Sequence, residues 1–401
     1  MKHDINWFIN GIRSRLKLYY GITRIAILHL IAIMLRPWLG QKHYWVLHER
    51  GDDAQDNAWH LLKYLRREHP EINARYAIRT ASLDYSSNLA DYKDVVVEYN
   101  SFRYYMILFN ADVIATTHIQ AYLYPHNITM QLKGSVFDVK AKKIFLQHGV
   151  TRHKIKVLAY PGLDVDCFIC GAKIEHELMM SEGMNYPPEI ARYTGLARYD
   201  NLWNNVEKNQ ILIMPTWRIK YSTFSSAEFL QTDFFKFYQT LLTNSRLLKA
   251  LKEFNFDVVF YNHYEFQKFN SCFNSLESEN VHLMKFGTMR VQELLKQSKI
   301  LITDYSSIYY DFLFMGKPIV FVAQNEEEYE TTQYGKRYDG LLSDFGYDIY
   351  NVEEALDTII RILESGCQFE DKFKNQQEKV FPMRDNKNCE RIYEAIQQTM
   401  K

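Results

Sequence analysis

What this sequence lacks narrows the field before any motif is read. It carries no surplus of charge: 48 Lys and Arg balance 48 Asp and Glu, so nothing global marks a nucleic-acid binder. It has no disulfide framework. Its five cysteines (Cys167, Cys170, Cys272, Cys367 and Cys389) are odd in number and mostly scattered, which favours a reducing compartment. Cys167 and Cys170 form one C-x-x-C. No second pair or spaced histidines complete a zinc site, and the motif lies inside a predicted strand, where a redox pair would open a helix. Internal repeats and low-complexity tracts are missing. So is an unbroken apolar run of the roughly 20 residues that a membrane-spanning helix needs. No small-residue cleavage site follows the N-terminal apolar stretch, so a secretory signal is not expected.

What is present is ordinary globular material with one unusual end. The 401 residues are 47% hydrophobic and 24% charged, enough for two cores. Aromatics reach 15%, and packing in cores accounts for them. Residues 1–42 differ: Lys2, Arg13, Arg15, Lys17, Arg24, Arg36 and Lys42 face a single Asp4, and Trp7 and Trp38 flank the run "ITRIAILHLIAIMLRPW". A basic, amphipathic, Trp-flanked segment predicts a helix lying in a membrane surface; a domain-packing helix is the plain alternative.

From Tyr44 short apolar runs alternate with amphipathic stretches. Strands are predicted at 44–48, 74–79, 95–99, 112–117, 143–147, 165–170 and 191–195, and after the polar patch 201–210 at 211–214, 256–261, 281–286, 300–303 and 318–323. Helices are predicted at 54–68, 101–110, 228–253, 290–298, 305–315, 352–364 and 385–400. The alternation implies two doubly wound parallel sheets: residues 44–205 and 206–375, preceded by the segment 1–43 and followed by a C-terminal helix within 376–401. Such sheets place ligands at the carboxyl ends of their strands, so reactive residues just after strands carry the functional reading.

Four places qualify. In "KKIFLQHGVTRHK", His148 follows a strand and precedes Gly149; an imidazole suits proton transfer and glycine permits close approach. Thr151, Arg152 and Lys154 follow, able to meet an anion or simply to open a solvated helix. In "ILIMPTWRIKYS", Thr216, Trp217 and Arg218 end the strand that starts the second sheet; the arginine suits a phosphate and the indole a base or sugar. In "FDVVFYNHYEF", Asn262 and His263 can donate to phosphoryl oxygens. In "ILITDYSSIYYDF", Asp304, Ser306 and Ser307 stand where a helix starts, with unpaired N–H groups and partial positive charge. This is a phosphate seat without a glycine-rich loop. Asp311, one turn beyond Ser307, can accept from a ligand hydroxyl or hold that serine. Helix capping alone explains one of these residues and not all of them. Gly316 and Pro318 are a plain helix stop.

With these motifs in order, the sequence resembles the CDP-glycerol glycerophosphotransferase family of teichoic acid primases, polymerases and related capsule enzymes. The resemblance runs from about Trp45 to Val322 and rests on "HER" at 48–50, "DN" at 56–57, "LQHGVTRHK" at 146–154, "GLARYD" at 195–200, "MPTWR" at 214–218, "NH" at 262–263 and "ITDYSSIYYDFLFMGKPIVF" at 302–321. It implies a glycosyltransferase-B type fold, two Rossmann-like domains across a cleft. It implies transfer of an alditol phosphate from a CDP-alditol to a hydroxyl of a lipid-linked or polymer acceptor, with CMP leaving. His148 is implied as the base. His263 is implied as the second catalytic histidine. Arg198, Thr216, Trp217, Ser306, Ser307 and Asp311 fall at the family's donor site, joined in this reading by Gly149, Thr151, Arg152 and Arg218. No metal or other cofactor is expected, since cationic and neutral donors can neutralise the phosphates. The Asp164-Val165-Asp166 motif reads as structural, at the wrong end of its strand. Expected partners are the donor, the acceptor and the cytoplasmic face of the cell membrane, with a second copy of the chain left open and no nucleic acid. Departures are Val150 before Thr151, Ala197 where proline is usual, and a loose match in "YETTQYGKRYDGLLSDFG". Glycerol and ribitol therefore both stay open, as do a nucleotide-sugar glycosyltransferase and a non-catalytic membrane scaffold.

Overall fold

The computed structural model describes the chain except residues 1, 40–41, 119–122, 124–127, 129–131, 133, 204–205, 263, 286, 325 and 332–334. It opens with a long helix, α1 (Lys2–Leu39). Seven strands follow: β1 (Tyr44–His48), β2 (Asn73–Ile78), β3 (Val96–Glu98), β4 (Ala111–Thr116), β5 (Lys142–Phe145), β6 (Cys167–Cys170) and β7 (Ala191–Tyr193). They pair in parallel in the order β3-β2-β1-β4-β5-β6-β7. The second sheet holds β8 (Gln210–Ile213), β9 (Asp257–Tyr261), β10 (Val281–Met284), β11 (Ile300–Thr303), β12 (Ile319–Val322) and β13 (Tyr347–Ile349), also parallel, in the order β10-β9-β8-β11-β12-β13. In both sheets the order reverses direction beside the first strand, the position at which doubly wound sheets bind ligands.

The strands read as apolar runs because both faces are covered. In the second sheet Ile211, Ile213, Val258, Phe260, Ile300 and Ile302 enter one core, while Leu212, Val259, Tyr261 and Leu301 enter the other. The same alternation disposes of the C-x-x-C motif: Cys167 and Cys170 belong to cores on opposite faces of their sheet, and both are buried. Asp166 accepts from the Lys142 ammonium and the Lys143 amide at the amino end of β6, and Lys143 also reaches Asp164.

Several elements differ from the sequence reading. The strand β13 was not anticipated; three residues are too few to show a pattern. The helix expected over 228–253 is three helices, because Thr232 and Asn244 each cap a new start. The helix expected from about 305 begins at Tyr309. Asp304 takes the Tyr305 amide at 2.6 Å and the Ser306 hydroxyl takes the Ile308 amide at 3.4 Å. These bonds hold residues 304–308 as a turn, so the helix starts one turn later. Gly316, with φ at +73°, ends it as expected.

The N-terminal segment departs most. In place of short pieces it forms one helix, whose Arg13–Leu39 stretch is long and apolar enough to cross a membrane by length and composition. One face, through Ile25, Leu28, His29 and Ala32, packs on the first sheet's outer layer. The other face leaves Leu16, Tyr20, Ile27, Leu30, Met34 and Trp38 exposed.

At the far end the chain returns to where it began. Helix Asn388–Met400 places Cys389, Ile392, Ala395 and Ile396 in the first sheet's core. Asp200 accepts from the amides of Asn388 and Cys389, both at 2.8 Å. The backbone therefore passes between the two lobes twice, and the passages touch: the Trp203 indole N–H donates to the Asp385 carbonyl at 3.0 Å.

Candidate active site

The carboxyl edges of the two sheets meet. His148, beyond β5, lies in the loop that also carries Gly149, and a Cβ on Gly149 would sit 2.9 Å from the Ser307 Oγ of the opposite lobe. Glycine leaves the Ser307 hydroxyl room to point at this loop. Ser306 and Ser307 are half-buried. Their turn precedes helix Tyr309–Met315.

The His148 Nδ1 lies 3.1 Å from the Thr117 carbonyl. A carbonyl can only accept, so Nδ1 carries the proton and Nε2 keeps its lone pair. The residue shows surface to solvent, yet protein crowds the ring, and this loss of hydration lowers its pKa below the ordinary histidine value. Asp56 and the Thr117 carbonyl oppose that shift; Arg50 and Arg198 add to it. Below the ring, Glu175 props the loop. It is buried and accepts from the Thr151 and Gly171 amides at 2.7 and 2.6 Å and from Gln147 at 3.1 Å. Burial raises its pKa to about 7.

Arg198 and Asp311, both expected at the donor, are paired with each other. The guanidinium makes two parallel bonds to the carboxylate, Nε to Oδ1 at 2.7 Å and Nη2 to Oδ2 at 2.8 Å. Its remaining Nη1 donates to Asp56 and to the His148 carbonyl, both at 2.9 Å. Asp311 is 1% exposed and Arg198 7%. The pair thus joins the helix after the serines to the histidine loop, and neither group has a charge to spare. Arg152 is similarly used up: it crosses to donate to the Tyr305 carbonyl and lies 3.8 Å from Asp339, over the Tyr309 ring. Thr151 is held by Glu175 and Gln147.

In the second lobe, buried Asp304 is the organiser. It accepts from the Thr216 amide at 2.9 Å, from the Thr216 hydroxyl, and from Arg218 at 2.8 Å. Arg218 also stacks over Tyr305 and Tyr329. Trp217 packs edge-on against Phe266 at 4.7 Å. Asn262 is buried and donates to Asn270 at 3.2 Å. His263 lies outside the described residues. The structure therefore brings the His148–Gly149 loop against Ser307 of the opposite lobe, ties Thr216 and Arg218 to Asp304 at the start of the Ser-Ser turn, and engages Arg152, Arg198, Thr151 and Asp311 in the bonds that hold these loops.

Two residues at the gap were not singled out. His118 follows β4 as His148 follows β5, so the same strand-end rule would have found it. Arg50, in the "HER" run after β1, donates to the His118 Nε2 at 2.9 Å.

Two doubly wound parallel sheets with carboxyl edges facing across a cleft define the glycosyltransferase-B class. Within it, the chain belongs to the family described as CDP-Glycerol:Poly(glycerophosphate) glycerophosphotransferase, whose model matches residues 30–398. It is 27% identical over 370 residues to the minor teichoic acid biosynthesis protein GgaB of Bacillus subtilis (strain 168), a match covering 89% of this chain and 40% of that protein. The chain thus spans well under half of that relative's length. The wall teichoic acid polymerase TagF superposes with a TM-score of 0.67 at 17% identity, covering 99% of this chain and 98% of that one. A UDP-N-acetylglucosamine 2-epimerase from Listeria monocytogenes shares the fold more loosely, with a TM-score of 0.54 at 14% identity over 88% and 95% of the two chains.

Proposed function

We propose that this protein transfers an alditol phosphate, with glycerol phosphate the leading case, from a CDP-alditol to a hydroxyl of a lipid-linked or polymer acceptor in teichoic-acid-like polymer synthesis. The observation that carries the reading is the meeting of two loops. One bears an imidazole whose Nε2 carries a lone pair, and the other bears two hydroxyls on a turn leading into a helix. The donor diphosphate rests at Ser306 and Ser307, whose hydroxyls and amides are suited to phosphoryl oxygens. His148 Nε2 takes the proton of the acceptor hydroxyl as its oxygen attacks the distal phosphorus. The new P–O bond forms as the bond to the bridging oxygen breaks, and CMP leaves with that oxygen. Arg198 and Asp311 hold the two loops in register, and Arg218 and Thr216 fix the Ser-Ser turn through Asp304. His263 is assigned to the leaving phosphate. Positioning and charge neutralisation suffice for such a step, and we read it as metal-free.

The exposed face of α1 fits attachment at the cytoplasmic membrane surface, where a lipid-linked acceptor would be reached. Purified protein incubated with CDP-glycerol or CDP-ribitol and a lipid acceptor should release CMP, in EDTA as well as without it. Release of a nucleoside diphosphate from a nucleotide sugar would instead indicate a glycosyltransferase, and no turnover of any donor would indicate a scaffold.

A further inference from the structure

We propose that His118 is the positioning residue of this site: its imidazole, pinned by Arg50 and laid flat on His148, holds the His148 ring in the one tautomer and orientation that offers Nε2 to the acceptor. The assignment rests on reading His148 as the base.

The two rings arrive from neighbouring strands, β4 and β5. Their centroids are 4.6 Å apart and their planes 13° from parallel. Thr117 serves both. Its carbonyl takes the His148 Nδ1–H, and its hydroxyl lies 2.8 Å from the His118 Nδ1. Arginine can only donate, so the Arg50 Nε–H fixes His118 Nε2 as an acceptor. His118 Nδ1 therefore carries the proton and donates to the Thr117 hydroxyl. Each tautomer follows from a partner that has one role only, so the chain Arg50–His118–Thr117–His148 has a single consistent proton arrangement. A half-turn of the His148 ring would exchange Nδ1 for Cδ2 and lose the Thr117 bond, while the stacked neighbour blocks intermediate tilts.

The stack also bears on the charge state of His148. Burial, with His148, Arg50 and His48 nearby, drives the His118 pKa down to about 2, so this ring stays neutral while its neighbour titrates. A neutral ring there covers one face of His148 and keeps water from it without competing for the proton. His148 itself faces Asp56, Arg50 and Arg198.

The test compares wild type, His118→Ala and His118→Phe. In His118→Ala, kcat should fall roughly 10–100-fold, the scale of a small misplacement of a reacting group, with donor KM unchanged. The acid limb of the pH–rate profile should move to higher pH, because an uncovered His148 ring is better hydrated when charged. Nitrogen-15 spectra should show His148 passing from the Nδ1–H form to a tautomer mixture. His118→Phe, which keeps a flat ring and guards against a folding failure of the alanine variant, should retain the pH limb and mix tautomers less than His118→Ala, because it loses only the polar contacts of His118 with Arg50 and Thr117. Wild-type kcat or an unmixed His148 tautomer in a folded His118→Ala overturns the proposal, as does a His118→Phe that loses as much as the alanine variant. If the wild type releases no CMP, the reaction reading falls, whereas the tautomer comparison still decides the role of His118.

Discussion

Replacing Asp311 with alanine probes the bond that joins the two lobes at the site. The carboxylate is 1% exposed and receives two parallel N–H bonds from Arg198 at 2.7 and 2.8 Å. After its removal the guanidinium keeps Asp56 and the His148 carbonyl on Nη1 alone. Breaking a buried pair from one side costs about 3–5 kcal/mol because a charge is left without its partner. The surviving Asp56 contact puts Asp311→Ala near the lower end, about 3 kcal/mol. Arg198→Met deserts two carboxylates together and should approach the upper end, about 5 kcal/mol. The double variant Arg198→Met with Asp311→Leu removes the guanidinium and its most buried carboxylate together, leaving only the partly exposed Asp56 without its partner. It should therefore lose less than the sum of the singles, a coupling of about 2 kcal/mol or more. Urea unfolding of the four proteins measures this. Two lobes need not unfold in one transition, and the loss should fall on the earliest one. Single variants that each lose under about 1 kcal/mol, the worth of an exposed pair, would refute the argument, as would strict additivity.

Other outcomes follow from the same geometry. His148→Ala should lower turnover by roughly 10²–10⁴-fold, the usual contribution of a general base. Because the active form is neutral and its pKa is lowered by burial, wild-type kcat/KM should hold as pH falls through the ordinary histidine value and decline only below it. Gly149→Ala puts a methyl 2.9 Å from the Ser307 Oγ; the hydroxyl must turn away, and donor KM should rise with little loss of stability. Glu175 has a folded-state pKa of about 7 against an ordinary value of 4.5, so its stabilising contribution is complete below the ordinary value and lost as pH rises through about 7. Relative to Glu175→Gln, wild type should lose up to about 3 kcal/mol across that window in denaturation titrations. Aspartate at Ile27, Leu30 and Met34, which are 52%, 54% and 70% exposed, should abolish flotation with anionic vesicles and leave the melting temperature unchanged.

The parallel sheets were legible because strands covered on both faces must be apolar throughout, as "CFIC", "ILIT" and "IVFV" are. His148 was legible because a titratable side chain stands at the end of such a run. What the sequence could not convey is who spends each charge. Arg198 and Asp311 lie over a hundred residues apart, and nothing local says that they cancel one another. Thr232 and Asn244 broke a helix that periodicity made continuous, since a cap competes locally with an apolar stripe that continues across it. His118 was passed over although it obeys the rule that found His148. Its weight comes from a stacking partner thirty residues on. The N-terminal segment was divided by Arg24 and His29 in the sequence. In the fold Arg24 bonds Asn100 and His29 packs on Phe109, both on the inward side, so the exposed residues between Tyr19 and Met34 carry no charge.

The twin passages of the backbone between the lobes, bonded through Trp203 and Asp385, restrict how the cleft can breathe. A lone tether is a swivel. Two tethers side by side act as the pins of a door, permitting a swing about the line through them while resisting rotation of one leaf in its own plane. Reactants would then enter and leave by a clamshell movement that returns the same loops to the same facing positions on every cycle. Cutting the second tether would free the leaves to twist, even with every residue of the gap intact.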